Sequence, residues 1–313
     1  MKVLIAITTC NRLEEIQKNL IPFVKFCHSN NLFDFVLSLD GKNDTYFAFA
    51  NKYHIPLLWS NEREGVGLSK NRILKQFAYY DYYYFIEDDV EIIDKNIFNL
   101  FIEFSKRNNI HHICSGEITE QRLIKNISFN NNKFAYTKYA GAYFTFYTKE
   151  GIKKVGGWHP LFAKYKRFGH TEHSMRFYHL GLSPAPFIVT ESTRKYIILN
   201  DPPHVTQIDV DRNSNELIAE EQAMIDAKQT FFPITTLSNY YFNGKDVSIP
   251  VLHSDLQKGR YSLLKGKSKI KAWGNFYFHK FKTSKNPLFF ILAIILYPNN
   301  NLLKHWIKQK IKK

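Results

Sequence analysis

Three adjacent carboxylates, Glu87-Asp88-Asp89, follow the aromatic run "YYDYYYFI" and are closed by a further apolar residue. Grouped acids repel one another unless something positive sits among them. Carboxylates at the end of a buried strand suit a hard divalent cation, Mg²⁺ or Mn²⁺, which keeps open positions for water and for phosphate oxygens. On an extended backbone Glu87 and Asp89 would share one face and Asp88 the other. One acid could then grip metal while a neighbour reaches a ribose or sugar hydroxyl. A solvated turn of acids is the competing reading of the same triplet.

Three other groups have types suited to the same chemistry. Asp40 with Gly41 ends a second apolar run, where an acid can accept hydrogen bonds from a base or ribose; Asp-Gly is also a common turn. In "EGVGLSKNRIL" two glycines precede a helix pattern carrying Lys70, Asn71 and Arg72, and N–H groups and cations near a helix start can hold a diphosphate. In "VGGWHPLFAKYKRFGHTEHSMRFYHLGL" a Gly-Gly-Trp turn leads through a loop to Glu172, which opens a helix pattern bracketed by His170 and His173. A carboxylate so placed is a candidate general base. It is also what a helix dipole favours on its own. Trp158 offers an apolar platform for a sugar face. "HTEH" lacks the spacing of a zinc-protease helix.

The elements that must position these groups alternate through the first hundred residues. Strand patterns "KVLIAIT", "FDFVLSLDG", "IPLLWSNE" and "YYYFIEDD" are separated by helix patterns, the first of which Pro22 kinks or divides. This order predicts an α/β fold with a mainly parallel sheet covered by helices on both faces. Ligands of such sheets bind beyond the carboxyl ends of the strands, so Thr8-Thr9, Asp40, Asn61-Glu62 and Glu87–Asp89 should meet at one edge. Further on, "SFNNNKF" reads as a polar loop, "GAYFTFY" as a strand, "KEGIKKV" as a short helix, and "GGWHPLFAKYKRFG" as irregular. An amphipathic helix is expected from Asn215 to about Thr230.

The chain has 313 residues and a net charge of +15. Residues 257–313 hold fourteen Lys and Arg and no acid, which leaves 29 Lys and Arg against 28 Asp and Glu, a net of +1, for residues 1–256. A neutral body with a basic tail speaks against a nucleic-acid binder, whose charge belongs on the body. The three cysteines form no CxxC pair, which argues against a disulfide framework and a structural zinc, and suits a reducing compartment. "MKVLIAITTC" turns polar too soon for a signal peptide. The tail mixes Lys and Arg with Trp273, Trp306 and a ten-residue apolar run, Leu288–Tyr297. A membrane span needs about 20 residues. The tail is therefore expected to lie on an anionic membrane surface rather than cross it; a basic subdomain packed on the body is the alternative.

Taken in order, these elements resemble the nucleotide-sugar glycosyltransferases of the GT-A fold, most closely glycosyltransferase family 2, over roughly residues 1–205. The resemblance implies a Rossmann-like GT-A domain at 1–256, with a nucleotide-binding half at about 1–110 and an acceptor-binding half at about 111–256. A basic, mostly helical region follows at 257–313. It implies that Thr8, Thr9, Asn11 and Arg12 of "TTCNR" contact the nucleotide, that Asp40 meets uracil or ribose, and that Lys70 and Asn71 stand where the family has "ARN". "EDD" resembles the DxD motif in a Glu-x-Asp form, with Asp89 on Mn²⁺ or Mg²⁺, Asp88 on the donor and Glu87 in support. His204 of "NDPPHV" resembles a histidine that completes some metal sites. Gly157, Trp158 and His173 fall where the family binds acceptor, and Glu172 where it places its base; a Glu-Asp pair is usual there, and here Glu172-His173 stands in its place. The activity implied is inverting transfer of a hexosyl or N-acetylhexosaminyl group. The donor is a nucleoside diphosphate sugar, most often UDP-linked, and the acceptor a glycan or lipid-linked hydroxyl, in cell-surface polysaccharide or glycolipid synthesis. The expected location is the cytoplasm, peripheral on the inner face of the cell membrane. A sugar-nucleotide nucleotidyltransferase fits less well, since "TTCNRLEE" has no glycine-rich phosphate loop. A non-catalytic nucleotide- or membrane-binding protein of the same fold is the rival from another class.

Overall fold

The computed structural model describes residues 1–116, 123–164, 168–190, 193–200, 230–234, 239–242, 245–248 and, near the C-terminus, 277, 281, 286–296 and 298. His204 and the helix expected at 215–230 lie outside them, as does most of the tail. The chain divides into two compact units, Met1–Asp209 with Thr230–Tyr261, and Val210–Gln229 with Ser262–Lys313.

The first unit opens with β1 (Val3–Thr9), buried along its whole length. Apolar side chains point to both faces, as a strand covered on both sides requires. Helices α1 (Leu13–Asn19) and α2 (Ile21–His28) follow. Pro22 divides them and sits in the first turn of α2, where its missing N–H costs least. The alternation continues with β2 (Phe33–Leu39), α3 (Asp44–Lys52), β3 (Leu57–Trp59), α4 (Val66–Gln76) and β4 (Tyr82–Glu87). These four strands lie parallel in the order β3-β2-β1-β4.

The second half of the unit departs from the parallel pattern. Its elements are β5 (Val90–Ile92), α5 (Asn96–Asn108), β6 (His112–Cys114), β7 (Leu123–Phe129), β8 (Asn132–Thr137), β9 (Phe144–Thr148), α6 (Lys149–Val155), α7 (Pro160–Lys164), α8 (Gly169–His179), β10 (Phe187–Thr190), α9 (Thr193–Tyr196), β11 (Ile197–Leu199), β12 (Asn239–Phe242) and β13 (Lys245–Ser248). The large sheet runs β13-β12-β3-β2-β1-β4-β9-β6-β10-β8-β7. β9 is antiparallel to both β4 and β6, and β12 is antiparallel to β3, so the sheet is mixed outside its four-stranded centre. Beside it, β5 and β11 form an antiparallel pair.

Two local expectations change. "SFNNNKF" is the tip of the β7–β8 hairpin and not a loop: Asn130 and Asn131 take φ of 45° and 58°, the left-handed turn that asparagine tolerates. The segment after Trp158 contains the short helix α7.

Alternate residues of β1 feed two cores. Val3, Ile5 and Ile7 join Phe98, Phe101 and Phe144 on one face, while Leu4 and Ala6 join Ile73, Phe85 and Trp158 on the other. In the second unit, α10 (Pro287–Leu296) is apolar throughout. Ala293 is buried beside Tyr277, Phe281 and Phe290, while Leu288, Ile291 and Ile295 are exposed. Among the described residues no helix is long and apolar enough to cross a membrane.

Candidate active site

The carboxyl ends of the parallel strands bring Thr8-Thr9, Asp40 and Glu87–Asp89 to one edge. Thr8 is level with Glu87 across the β1–β4 pair, and Thr9 with Leu39 across β1–β2, one residue before Asp40. Strand β4 ends at Glu87, and Asp88 and Asp89 lie in the turn before β5. The alternation argument therefore stops one residue early: the turn, not the pleat, aims the two aspartates, and both face the same cation. Arg12 Nη1 lies 3.2 Å from Asp88 Oδ1 and 3.0 Å from Asp89 Oδ2. Asn11, at φ 54°, turns the chain sharply after β1, and the Tyr46 hydroxyl accepts the Arg12 N–H at 2.8 Å and meets Thr9 Oγ1 at 3.0 Å. Tyr46 was not singled out from sequence, since a tyrosine in an amphipathic helix gives no sign that its hydroxyl fixes another segment.

Asp88 and Asp89 are each 5% exposed. Burial raises the Asp88 carboxyl to about 7, against the pull of Thr9 and Arg12 and with added repulsion from Asp89 and Glu87. Two desolvated carboxylates converging on one positive group are the oxygen donors a hard divalent cation takes. The two carboxylates already share one cation, the Arg12 guanidinium, so the residues present fit Mn²⁺ or Mg²⁺.

Lys70 lies beneath this edge, 3% exposed, with Nζ 5.4 Å from the centre of the Trp158 ring. Burial lowers its pKa, and Glu87 opposes that shift. Asn71 and Arg72, the next residues of its helix, are fully buried. Asn71 clamps the backbone of Trp158, accepting its N–H at 2.7 Å and donating to its carbonyl at 2.8 Å. A Cβ on Gly157 would come within 2.4 Å of Asn71 Oδ1, so the second glycine of Gly-Gly-Trp is there to admit this clamp. Arg72 donates to Glu64 Oε2 and Ser69 Oγ, each at 2.6 Å, and to the Leu39 carbonyl. Asp40 accepts the N–H groups of Glu64 and Gly65 at 2.7 and 3.0 Å. Asp40 and Asn71 are thus engaged in holding the loops around α4. Thr8 Oγ1 is buried without a hydrogen-bond partner.

The residues expected to meet an acceptor are packed. Trp158 is 2% exposed, edge-on to Phe85 and Tyr147 and stacked on His173 at 4.0 Å. His173 is fully buried, with Nε2 at 3.0 Å from the Gly156 carbonyl. The Gly-Gly-Trp segment is a hydrophobic anchor here rather than an open platform. An aromatic after two glycines looks the same in sequence whether its ring faces a ligand or the core. Glu172 is 2% exposed, and its oxygens meet Arg176 Nε at 2.8 Å and Nη2 at 2.9 Å. Arg176 also donates to the carbonyls of Val155 and Gly157 at 2.5 and 2.6 Å. Burial raises the Glu172 pKa and Arg176 opposes the rise.

Four imidazoles surround this centre, His112 and His173 buried and His159 and His170 partly so. Desolvation pushes His112 down to about 3 and His159 to about 4, and holds His170 and His173 well below the ordinary range. Below about pH 6.5 the unfolded chain protonates these rings and the fold does not, so stability is full above that pH and is lost as pH falls. Each contributes up to ~1.4 kcal/mol per pH unit. Asp88, raised in the fold, works the other way between about 4 and 7, as does Glu172, but the imidazoles outnumber them. A melting temperature that declines steadily from pH 7 to pH 4 is expected by calorimetry; a flat profile would contradict the neutral state of these rings.

No family model and no curated protein matches the sequence. Solved structures do match in fold. Staphylococcus aureus TarS 1–349 in complex with UDP-GlcNAc superposes with a TM-score of 0.56 at 14% identity, covering 88% of this chain and 81% of that one. The same protein with UDP gives 0.54 at 14%, covering 88% and 80%. A mannosyltransferase from Pyrobaculum calidifontis in complex with GDP-Man and Mn²⁺ gives 0.47 at 11%, covering 72% of this chain. The chain spans 63% of that mannosyltransferase and 49% of the longer TarS structure. Four central parallel strands, a mixed second half, an acid-bearing turn at the strand ends and the overlap with TarS together make this a GT-A, Rossmann-like fold.

Proposed function

We propose that this chain is a glycosyltransferase that moves a sugar from a nucleoside diphosphate sugar, UDP-linked, to a hydroxyl of a glycan or lipid-linked acceptor, with inversion at the anomeric carbon. The observation that carries the reading is the convergence of Asp88, Asp89 and Arg12 at the carboxyl edge of β1 and β4. Its three charges complement a metal-bound diphosphate. The TarS complexes, which hold UDP and UDP-GlcNAc, favour a uridine donor.

In this reading Asp89, with Asp88, holds Mn²⁺ or Mg²⁺, which when bound supplies charge stabilisation for the leaving diphosphate. Arg12, freed from the acids, turns to the phosphates. Asp88 meets the donor sugar, Glu87 supports Lys70 beneath it, and the Thr8 hydroxyl and Asp40 line the nucleotide end with Thr9 and Asn11. Glu172 takes the proton of the acceptor hydroxyl as it attacks, which is typically worth ~10²–10⁴-fold. Arg176 fixes the direction of that carboxylate, and Gly157, Trp158 and His173 fix the segment around it. His204 is retained as a further metal ligand. Thermal-shift titration with nucleoside diphosphates and UDP-sugars, with and without Mn²⁺, tests the donor site. Stabilisation by UDP-sugar that requires Mn²⁺ is expected, and no shift with any nucleotide would overturn the reading.

The tail is proposed to attach the enzyme to anionic lipid at the inner face of the cell membrane. Exposed Leu288, Ile291 and Ile295 on α10, beside a segment rich in Lys and Arg, support this. The full chain should sediment with anionic liposomes, and a chain ending near Lys258 should stay in the supernatant. Sedimentation of the shortened chain would refute the anchor.

A further inference from the structure

Behind the acid edge lies a second cluster of metal-ligating types that the proposed transfer does not use. His112 and Cys114 on β6 and His170 at the start of α8 place their ligand atoms within 4.8 Å of one another. We propose that these three residues bind a transition-metal ion, zinc foremost, which ties β6 to the first turn of α8.

A hydrogen bond orients the His112 ring for ligation, and His170 has a buried ring nitrogen to spare. His112 Nδ1 lies 3.1 Å from the Phe146 carbonyl, which can only accept, so Nδ1 carries the proton and Nε2 presents its lone pair. That lone pair faces Ser174 Oγ at 2.8 Å and Cys114 Sγ at 3.1 Å. His170 Nε2 is buried without a hydrogen-bond partner. The His112 ring is held through its outer nitrogen by a backbone carbonyl, the arrangement that fixes metal-binding histidines. Ser174 and the thiol both crowd the His112 nitrogen, and the His170 lone pair is left over. A cation satisfies all three at once.

The donor set selects the ion. Two imidazoles and a thiolate suit zinc, whereas Mg²⁺ and Mn²⁺ prefer the oxygens of Asp88 and Asp89. Zn–N of about 2.0–2.1 Å and Zn–S of about 2.3 Å put tetrahedral ligands roughly 3.3–3.6 Å apart, so the cluster needs to contract by only about 1 Å at its widest. Burial pushes the Cys114 thiol pKa well above its ordinary range, and the nearby Lys70 cation and Ser174 oppose that rise. The charge of Lys70 is offset by Glu87. Binding replaces the thiol proton, which leaves to solvent, and no redox step is involved. Spacing rules miss the site because His112-x-Cys114 and His170 come from distant segments joined only by the fold.

The test is metal analysis of the full chain, purified without a metal-affinity tag from zinc-supplemented medium. About one zinc per chain is expected by mass spectrometry. Cobalt exchanged into the protein should give a thiolate-to-cobalt charge-transfer band, and Cys114→Ser should lose both band and metal while Asp89→Ala keeps them. Zinc-free protein that takes up neither zinc nor cobalt on dialysis would overturn the proposal, and this result needs no variant. Retention of stoichiometric zinc by a folded Cys114→Ser protein would also overturn it.

Discussion

Replacing Asp89 with alanine is expected to lower metal-dependent sugar transfer by about 10²–10³-fold or more, the scale on which loss of one preorganised charge-stabilising group is felt. The fold should tolerate the change. Asp89 sits in a turn whose partner strand β5 is held by its own pairing with β11, and Asp88 still holds Arg12 once Asp89 is gone. Removing one of two adjacent buried carboxylates also removes a repulsion that helps raise the Asp88 pKa. Calorimetry should therefore show a melting temperature close to that of the unsubstituted chain, while titration calorimetry shows Mn²⁺ binding lost. Arg12→Ala separates the ion from its stand-in. With the competing guanidinium absent, Mn²⁺ alone should bind more tightly, while the diphosphate loses a contact and binds more weakly. Transfer by Asp89→Ala at the original rate, saturating in Mn²⁺ at the original concentration, would sink the metal assignment.

Much of this edge is legible in the sequence, because strand ends in a βαβ series must fall together and the polar residues that close apolar runs mark those ends. Thr8-Thr9, Asp40 and the acid triplet meet for that reason. The direction of each side chain is less legible. Asp88 and Asp89 point together because the strand stops at Glu87, and nothing in "FIEDDVEI" fixes that boundary to one residue. Trp158, Asn71 and Asp40 carry the same polar or aromatic groups whether they meet a ligand or clamp a loop. Hydrogen bonds to backbone across long sequence separations give Asp40 and Asn71 a loop-holding role that the sequence does not show. The antiparallel β9 is similarly hidden: "GAYFTFY" shows strand length but no sign of its pairing sense. Arg176 was visible as a basic residue four places after Glu172, the spacing of a helix pair. Its burial and its two carbonyl bonds come from the packing of α8 on α6.

Glu172→Gln carries the second large effect, and the buried pair makes its reading two-sided. A buried ion pair that loses one partner costs about 3–5 kcal/mol, because the remaining charge is left desolvated. In Glu172→Gln the amide nitrogen faces a guanidinium that can only donate, and Arg176 keeps its charge with 0% exposure. A fall in melting temperature on the order of 10 °C is expected for a unit of this size, together with a fall in turnover of ~10²–10⁴-fold if Glu172 is the base. Arg176→Met should destabilise by a similar amount, leaving Glu172 charged and the Val155 and Gly157 carbonyls without their donor. The double variant Glu172→Gln/Arg176→Met distinguishes base from brace. It removes both charges together, and the glutamine amide can donate to a carbonyl that Arg176 served, so stability should return in large part. Turnover should not return, because the amide cannot take a proton from an acceptor hydroxyl. KM for the donor should stay near its original value in the double variant, since the Asp88–Asp89 edge is untouched. Recovery of both melting temperature and turnover would make Glu172 a positioning residue whose sole task is to hold Arg176 against α6.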